Sequence, residues 1–96
     1  MSEETGREHP ESLVELRAEI DLVDARLRAA ILERFLLSQR IGILKESQQI
    51  PIVDGFREKE VKEHWRRWAE EHGLNFQTIE PIIDALIAAS TSIQQK

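Results

Sequence analysis

Two basic residues, Arg34 and Lys45, lie on the otherwise apolar face of a long predicted helix. Apolar residues recur at spacings of three and four from Leu13 to Leu44, and the pattern calls for an apolar side chain at position 34. At about 100° per residue, Ser38 falls on the same face as both cations. Burying an unpaired guanidinium or ammonium group is costly, so a stable fold must bring anions to this face. A carboxylate ligand is one source of such anions, and a buried Glu or Asp is the other.

Two polar side chains interrupt the apolar stripe of the last predicted helix. Ser90 and Gln94 follow Leu86 at steps of four residues, which places a hydroxyl and an amide on the inward side near the C-terminal end. Each is a weak signal alone, because buried helix serines often bond to their own backbone. A lysine near a helix end, such as Lys45, also complements the helix dipole.

The remaining residue types exclude several classes of site. The chain has no cysteine, and His9, His64 and His72 do not have a metal-ligand spacing, so no metal site is expected. No serine or paired-carboxylate arrangement indicates nucleophilic or hydrolytic catalysis. The net charge of −5 disfavours nucleic acid as a partner. No apolar run approaches the roughly 18 residues of a membrane span.

Three helices are predicted and no β pattern is found, so the expected fold class is all-α. These helices must position the polar side chains. Ser12 is a plausible N-cap of helix 1, with Glu15 completing a capping box, and the helix is expected to run to about Glu46. Gly42 interrupts this helix, which we interpret as a point of close packing.

The two shorter helices follow a loop over residues 47–53. Asp54 is a candidate cap for helix 2, which is expected to end at Gly73. Asn75 or Thr78 opens helix 3, whose first turns accommodate Pro81.

The length of 96 residues indicates one domain, assigned to residues 12–96. Residues 1–11 are polar and predict a disordered tail; without the apolar segment of a signal peptide, a cytosolic location is expected. A helix of roughly 30 residues spans about 45 Å, which is too long for a compact globule of this size. Oligomerisation is therefore expected.

Five short motifs occur in order along the chain: Leu16-Arg17-x-x-Ile20-Asp21-x-x-Asp24, Glu33-Arg34, Ile41-Gly42-x-x-Lys45, Val53-Asp54-x-x-Arg57-Glu58 and Ser90-x-x-x-Gln94. Together they resemble the all-helical chorismate mutase family over about residues 12–95. The resemblance implies an interlocked homodimer of three-helix protomers with two active sites. It also implies rearrangement of chorismate to prephenate without a cofactor, in aromatic amino-acid or related secondary-metabolite biosynthesis.

The resemblance also assigns roles to individual residues. Arg34 and Lys45 would bind carboxylate oxygens, Lys45 and Gln94 would reach the ether oxygen of the substrate, and Ser90 would support the ring carboxylate. Glu58 and the backbone at Asp54 would hold the ring hydroxyl, Arg57 would belong to the same site, and Arg17 would enter from the other protomer.

The assignment of Arg17 to the partner has a separate physical argument. Arg17 and Lys45 are 28 residues apart on one predicted helix, or about 42 Å, whereas a small dicarboxylate spans under about 10 Å. One helix cannot deliver both residues to one ligand. An antiparallel partner helix can, with the two-fold axis near the middle of the helix.

Three alternatives remain open from the sequence. A mutase acting on 4-amino-4-deoxychorismate would use the same residues, because Glu58 can accept a hydrogen bond from an amine as well as from a hydroxyl. An isochorismate-pyruvate lyase would share the cations of helix 1, and the segment Arg67-Trp-Ala-Glu-Glu-His-Gly-Leu74 is faintly similar to that group. A non-catalytic helical dimerisation module would leave Arg34, Lys45 and Gln94 on inward faces without anions.

Overall fold

The computed structural model of the chain describes residues 12–95, which form three α-helices. Helix α1 comprises Leu13–Gln48, α2 comprises Gly55–Glu71 and α3 comprises Phe76–Gln94. Because residues 12–95 contain no strand, the predicted all-α fold class is confirmed. The predicted tail over residues 1–11 lies outside the described residues. The described residues divide into two units, the first ending at Leu32 and the second beginning at Glu33, and α1 contributes to both.

The start of α1 is the predicted capping box. The Glu15 backbone N–H donates to Ser12 Oγ at 3.0 Å, and the Ser12 N–H donates to Glu15 Oε1 at 3.1 Å. The helix continues two residues beyond the predicted end at Glu46 and stops at Gln48. Gln49 then has a φ of 57°, a left-handed conformation that cannot continue a right-handed helix.

The predicted caps of the two shorter helices are also present. Asp54 accepts a hydrogen bond from the Arg57 N–H at 3.0 Å at the start of α2. Asn75 accepts one from the Gln77 N–H at 2.9 Å, so Asn75 rather than Thr78 caps α3. Helix α2 ends at Glu71, slightly before the predicted end at Gly73, whose φ of +68° suits glycine in the turn that follows.

Helices α2 and α3 pack against each other within the second unit. Ala69 of α2 and Ile83 of α3 are buried. Lys62 of α2 reaches across to Glu80 at 2.8 Å and Asp84 at 3.2 Å on α3. The hydrogen bond to Glu80, followed by that to Asp84, raises the pKa of Lys62 above its ordinary value. These contacts hold α2 and α3 side by side.

Helix α3 also packs along the part of α1 that belongs to the second unit. Arg34 contacts Leu86 and Ser38 contacts Ser90, each pair being 52 residues apart in sequence. The next contact along α1 joins Gly42 to Gln94. The three contacts follow one another at steps of four residues on both helices, and the two residues of each pair are 52 apart in sequence. This part of α1 therefore runs parallel to α3, with the i, i+4 rows of the two helices in contact.

Gly42 allows the closest approach of these two helices. It is buried, and a Cβ atom built at this position would lie 2.7 Å from the Gln94 carbonyl oxygen and 2.8 Å from the Gln94 Cα. Both atoms belong to the α3 backbone, which cannot move aside as a flexible side chain can. The interpretation of Gly42 as a point of close packing is confirmed.

We expect Gly42→Ala to destabilise the protein and to lower its activity together. Overpacking of this kind costs about 1–3 kcal/mol, and the backbone that must move carries Gln94, a predicted site residue. Urea unfolding and turnover on the same samples would measure both effects. Gly55→Ala is the matched control, because a Cβ there meets nothing within 4 Å and alanine favours helix. A Gly42→Ala variant as stable and active as Gly55→Ala would contradict this prediction.

Apolar residues remain exposed on α1 in each unit of the single chain. In the first unit, five apolar residues that follow the spacing of three and four are 40–60% exposed; they are Leu13, Leu16, Ile20, Val23 and Leu27. In the second unit Leu37, Ile41 and Leu44 are 44–54% exposed. Contiguous exposed apolar surface of this kind is typical of protein–protein interfaces. Of the helices in residues 12–95, none combines the length and hydrophobicity needed to cross a membrane.

Candidate active site

A cavity of about 360 Å³ lies within the second unit, between α1, α2, α3 and the loop that precedes α2. Its volume is within the range of about 300–1,000 Å³ that is usual for small-molecule sites. Seven of the eight predicted site residues line it: Arg34, Lys45, Asp54, Arg57, Glu58, Ser90 and Gln94.

Lys45 extends from the last turn of α1 into this cavity. Its Nζ donates to the Ile52 carbonyl oxygen at 2.7 Å and to Gln94 Oε1 at 2.9 Å. An ammonium group has three N–H donors, so these two contacts leave one for a ligand. Within residues 12–95, no carboxylate lies within 4.0 Å of the Lys45 ammonium group.

Arg34 is half-buried on the same face of α1, three turns before Lys45. Its Nη1 donates to the Leu86 carbonyl oxygen over a long 3.4 Å, and no acidic side chain of the described residues lies within 4.0 Å. Within residues 12–95, therefore, no buried Glu or Asp neutralises Arg34. Most of the guanidinium donors are left for a ligand.

A chain of polar side chains runs from Lys45 through the C-terminal part of α3 to Ser38 of α1. Gln94 accepts from Lys45 through Oε1, and its Nε2 donates to Ser90 Oγ at 3.3 Å. Ser90 Oγ in turn lies 2.6 Å from Ser38 Oγ on α1. These contacts orient the Gln94 amide, because its oxygen faces the ammonium group and its nitrogen faces Ser90. The second N–H of that amide remains available to a ligand.

A second wall of the cavity comes from the start of α2 and the residue that precedes it. Asp54 Oδ1 is occupied by the Arg57 N–H as a helix cap, whereas its own backbone N–H has no hydrogen-bond partner within residues 12–95. The guanidinium of Arg57 is 2.8 Å from Glu60 on its own helix and is largely exposed. Glu58 is half-buried and has no basic partner within 4.0 Å among the described residues. This wall therefore offers hydrogen-bond acceptors and a backbone donor.

Arg17 is the one predicted site residue that does not line the cavity. It is an exposed residue of α1 in the first unit. Its contribution from a second protomer stays a prediction.

Several lining groups were not predicted as site residues. Ser38 and Thr91 add hydroxyls, and Leu37, Ile41, Val61 and Ile87 supply apolar surface. The helical spacing from Arg34 to Ser38 was a signal for Ser38, and the step from Ile87 to Thr91 was one for Thr91. The carbonyl group of Ile52 had no such signal, because its direction depends on the loop conformation.

Arg34 and Lys45 line the cavity from α1, whereas Glu58 and Arg57 line it from the start of α2. Such a site suits an anionic ligand that also carries a hydrogen-bond donor at its far end. The lining contains no His or Cys, and no group of three potential metal-ligating side chains occurs within the described part of the chain. The cations and N–H donors of the lining can bind and orient an anion and stabilise developing negative charge.

The family profile described as chorismate mutase type II matches residues 16–95. The chain belongs to this family. The match includes all three helices and all eight predicted site residues, and it confirms the family that the five motifs indicated.

Similar proteins include enzymes named chorismate mutase and enzymes named 4-amino-4-deoxychorismate mutase. The chorismate mutase of Methanocaldococcus jannaschii is 30% identical over 86 residues, which cover 90% of this chain and 87% of the relative. The 4-amino-4-deoxychorismate mutase of Streptomyces pristinaespiralis is 28% identical over 81 residues, covering 84% of this chain and 63% of that protein's length. A second 4-amino-4-deoxychorismate mutase, from Streptomyces venezuelae, is 29% identical over 82 residues, or 85% of this chain and 80% of the relative. No solved structure matches the chain.

Proposed function

We propose that this protein is a cytosolic chorismate mutase whose catalytic domain comprises residues 12–96. The observation that carries the proposal is the pair of cations on α1: Arg34 and Lys45 face one cavity, and neither has a carboxylate partner within residues 12–95. A dicarboxylate substrate supplies the missing negative charge. Membership of the chorismate mutase type II family supports the same substrate.

The reaction is a pericyclic rearrangement, in which an ether bond breaks as a carbon–carbon bond forms within one molecule. It needs no nucleophile, general base or cofactor. It needs a substrate folded into its reactive conformation and donors placed where negative charge develops on the ether oxygen. Arg34 binds a carboxylate of the substrate, while the free N–H groups of Lys45 and Gln94 donate hydrogen bonds to the ether oxygen. Ser90 supports the ring carboxylate.

The hydroxyl end of the ring then lies against the start of α2. Glu58 accepts its hydrogen bond, and the free backbone N–H of Asp54 donates to its oxygen. Arg57 turns towards the substrate by breaking its ion pair with Glu60. The cost is small, because an exposed ion pair of this kind contributes under about 1 kcal/mol. A bound carboxylate offers Arg57 a better partner.

The active form proposed here is a homodimer in which Arg17 of each chain enters the site of the other. The exposed apolar residues of α1 in both units support this arrangement, because the other described residues, within 12–95, do not cover them. We expect sedimentation at micromolar concentration to give twice the chain mass of 11.1 kDa, with stability that rises with protein concentration. A folded monomer under these conditions would refute the dimer.

Complementation tests the position of Arg17. Arg17→Ala and Lys45→Ala should each be nearly inactive, because each removes a charged contact to the substrate from both sites. Refolding the two variants together should restore about a quarter of the wild-type activity, since half of the dimers are mixed and each mixed dimer has one intact site. If mixed dimers form and remain inactive, Arg17 does not act across the interface.

A second candidate substrate is 4-amino-4-deoxychorismate. The carboxylate of Glu58, which has no basic partner within 4.0 Å among residues 12–95, favours it, because a carboxylate binds a protonated amine more strongly than a hydroxyl. The two Streptomyces relatives carry the corresponding name.

Separate incubations with chorismate, 4-amino-4-deoxychorismate and isochorismate test the proposal directly. Mass spectrometry and absorbance distinguish rearranged products from released pyruvate. We expect prephenate from chorismate at the highest kcat/KM. A higher kcat/KM for the amino substrate would reassign the enzyme, and turnover of none of the three would overturn the proposal.

A further inference from the structure

Ser38 is the only buried residue with a polar side chain among residues 12–95, with 3% of its surface exposed. Its hydroxyl has one hydrogen-bond partner within the described residues, Ser90 Oγ at 2.6 Å. Serines in helices commonly donate to a carbonyl of the preceding turn, and Ser38 makes no such bond. Its hydroxyl is therefore directed across the helix interface, and Ser90 is the group it acts on.

The number of protons and lone pairs at Ser90 determines what this contact does. A hydroxyl has one proton and two acceptor lone pairs. Gln94 Nε2 donates to Ser90 Oγ and occupies one lone pair. If Ser38 also donates to Ser90, both lone pairs are occupied, and the proton of Ser90 is left to point into the cavity. If Ser90 donates to Ser38 instead, Ser90 has no proton to offer a carboxylate.

We propose that Ser38 is a positioning residue, which donates its hydrogen bond to Ser90 and thereby directs the Ser90 proton at the substrate carboxylate. This inference rests on the proposed function, because it requires an anionic group at Ser90. A bound carboxylate accepts but cannot donate, so its presence selects this direction of the Ser38–Ser90 bond. Ser38 also lines the cavity, but its one hydrogen bond within residues 12–95 is to Ser90, so it acts on the carboxylate through Ser90.

A double-mutant cycle tests the coupling of Ser38 to Ser90. We expect Ser38→Ala to raise KM for chorismate about tenfold with little change in kcat, the pattern of a contact made in the ground state and the transition state alike. In a Ser90→Ala background the same substitution should change KM by less than about twofold, since the group on which it acts is gone. Additive losses would overturn the inference, because a general packing defect does not depend on the Ser90 hydroxyl.

Two further variants separate hydrogen bonding from packing. Ser38→Cys keeps the shape of the side chain, with a larger terminal atom, but is a weak donor, so its KM should resemble that of Ser38→Ala; a KM equal to wild type would overturn the inference. Ser92→Ala, an exposed serine of α3, should leave KM unchanged. Wild-type protein that fails to turn over chorismate and 4-amino-4-deoxychorismate would overturn the proposed function and this inference with it. Active wild type with an additive cycle would overturn this inference alone.

Discussion

Lys45→Met is expected to lower kcat/KM by about a hundred- to a thousandfold, the usual effect of removing one donor to a developing negative charge. The ammonium group uses two donors on the Ile52 carbonyl and on Gln94, and its third is left for the ether oxygen. Methionine has a similar length but no charge and no donor, so it removes both carboxylate binding and charge stabilisation.

Stability distinguishes this catalytic role from a structural one. Lys45→Met removes two hydrogen bonds, which lowers stability. It also removes a half-buried cation that has no carboxylate partner within residues 12–95, which raises stability. Because the two effects oppose each other, we expect the free energy of unfolding to change by less than about 2 kcal/mol. Urea unfolding and steady-state kinetics on the same preparation measure both quantities. Lys59→Met, at an exposed lysine of α2 outside the cavity, should retain full activity. A folded Lys45→Met variant with wild-type kcat/KM would remove Lys45 from the site.

The parts of the fold that were predictable are those determined by local sequence. Caps at Ser12, Asp54 and Asn75 depend on side chains that bond within three residues, so composition at a helix start is sufficient to find them. The helix ends were less accurate, because α1 stops where Gln49 takes a left-handed conformation, which a glycine or asparagine would indicate in the sequence but a glutamine does not.

The candidate site was predictable where a residue violates the apolar pattern of a helix. Arg34 and Lys45 were visible for this reason, and the structure places both in one cavity. The direction of a long side chain on the surface could not be predicted in this way. Arg57 pairs with Glu60, but the contacts open to an exposed arginine differ by under about 1 kcal/mol. Spacing cannot resolve an energy difference of that size.

Contacts between helices were not predictable in detail, because they depend on how two helices are aligned. The pairing of Ser38 with Ser90 follows from the parallel alignment of α1 and α3, and the close approach at Gly42 sets that alignment. Gly42 could be singled out from the sequence, but its contact with Gln94 could not. The direction of the Ile52 carbonyl likewise depends on a loop without periodic structure.

Gln94→Glu is expected to be slow at neutral pH and to recover as the pH falls. The amide of Gln94 accepts from Lys45 and donates to Ser90, and its second N–H is available to the ether oxygen. An ionised glutamate has no donor and adds negative charge beside the oxygen that becomes negative, which should lower kcat by about a hundred- to a thousandfold. A protonated carboxyl group regains a donor.

The recovery should follow protonation of the introduced carboxyl group. An ordinary glutamate titrates near pH 4.3, and the neighbouring Lys45 favours the ionised form, so activity should rise towards the acid end of a range from about pH 4 to 8. The ratio of variant to wild-type kcat at each pH removes the contributions of other titrating groups. Gln95→Glu, at the adjacent exposed glutamine, should give a ratio near one throughout. If Gln94 only fills the interface of α1 and α3, Gln94→Glu will lower the free energy of unfolding, and the kcat ratio of the folded fraction will stay constant with pH. That result would show that Gln94 has no catalytic role.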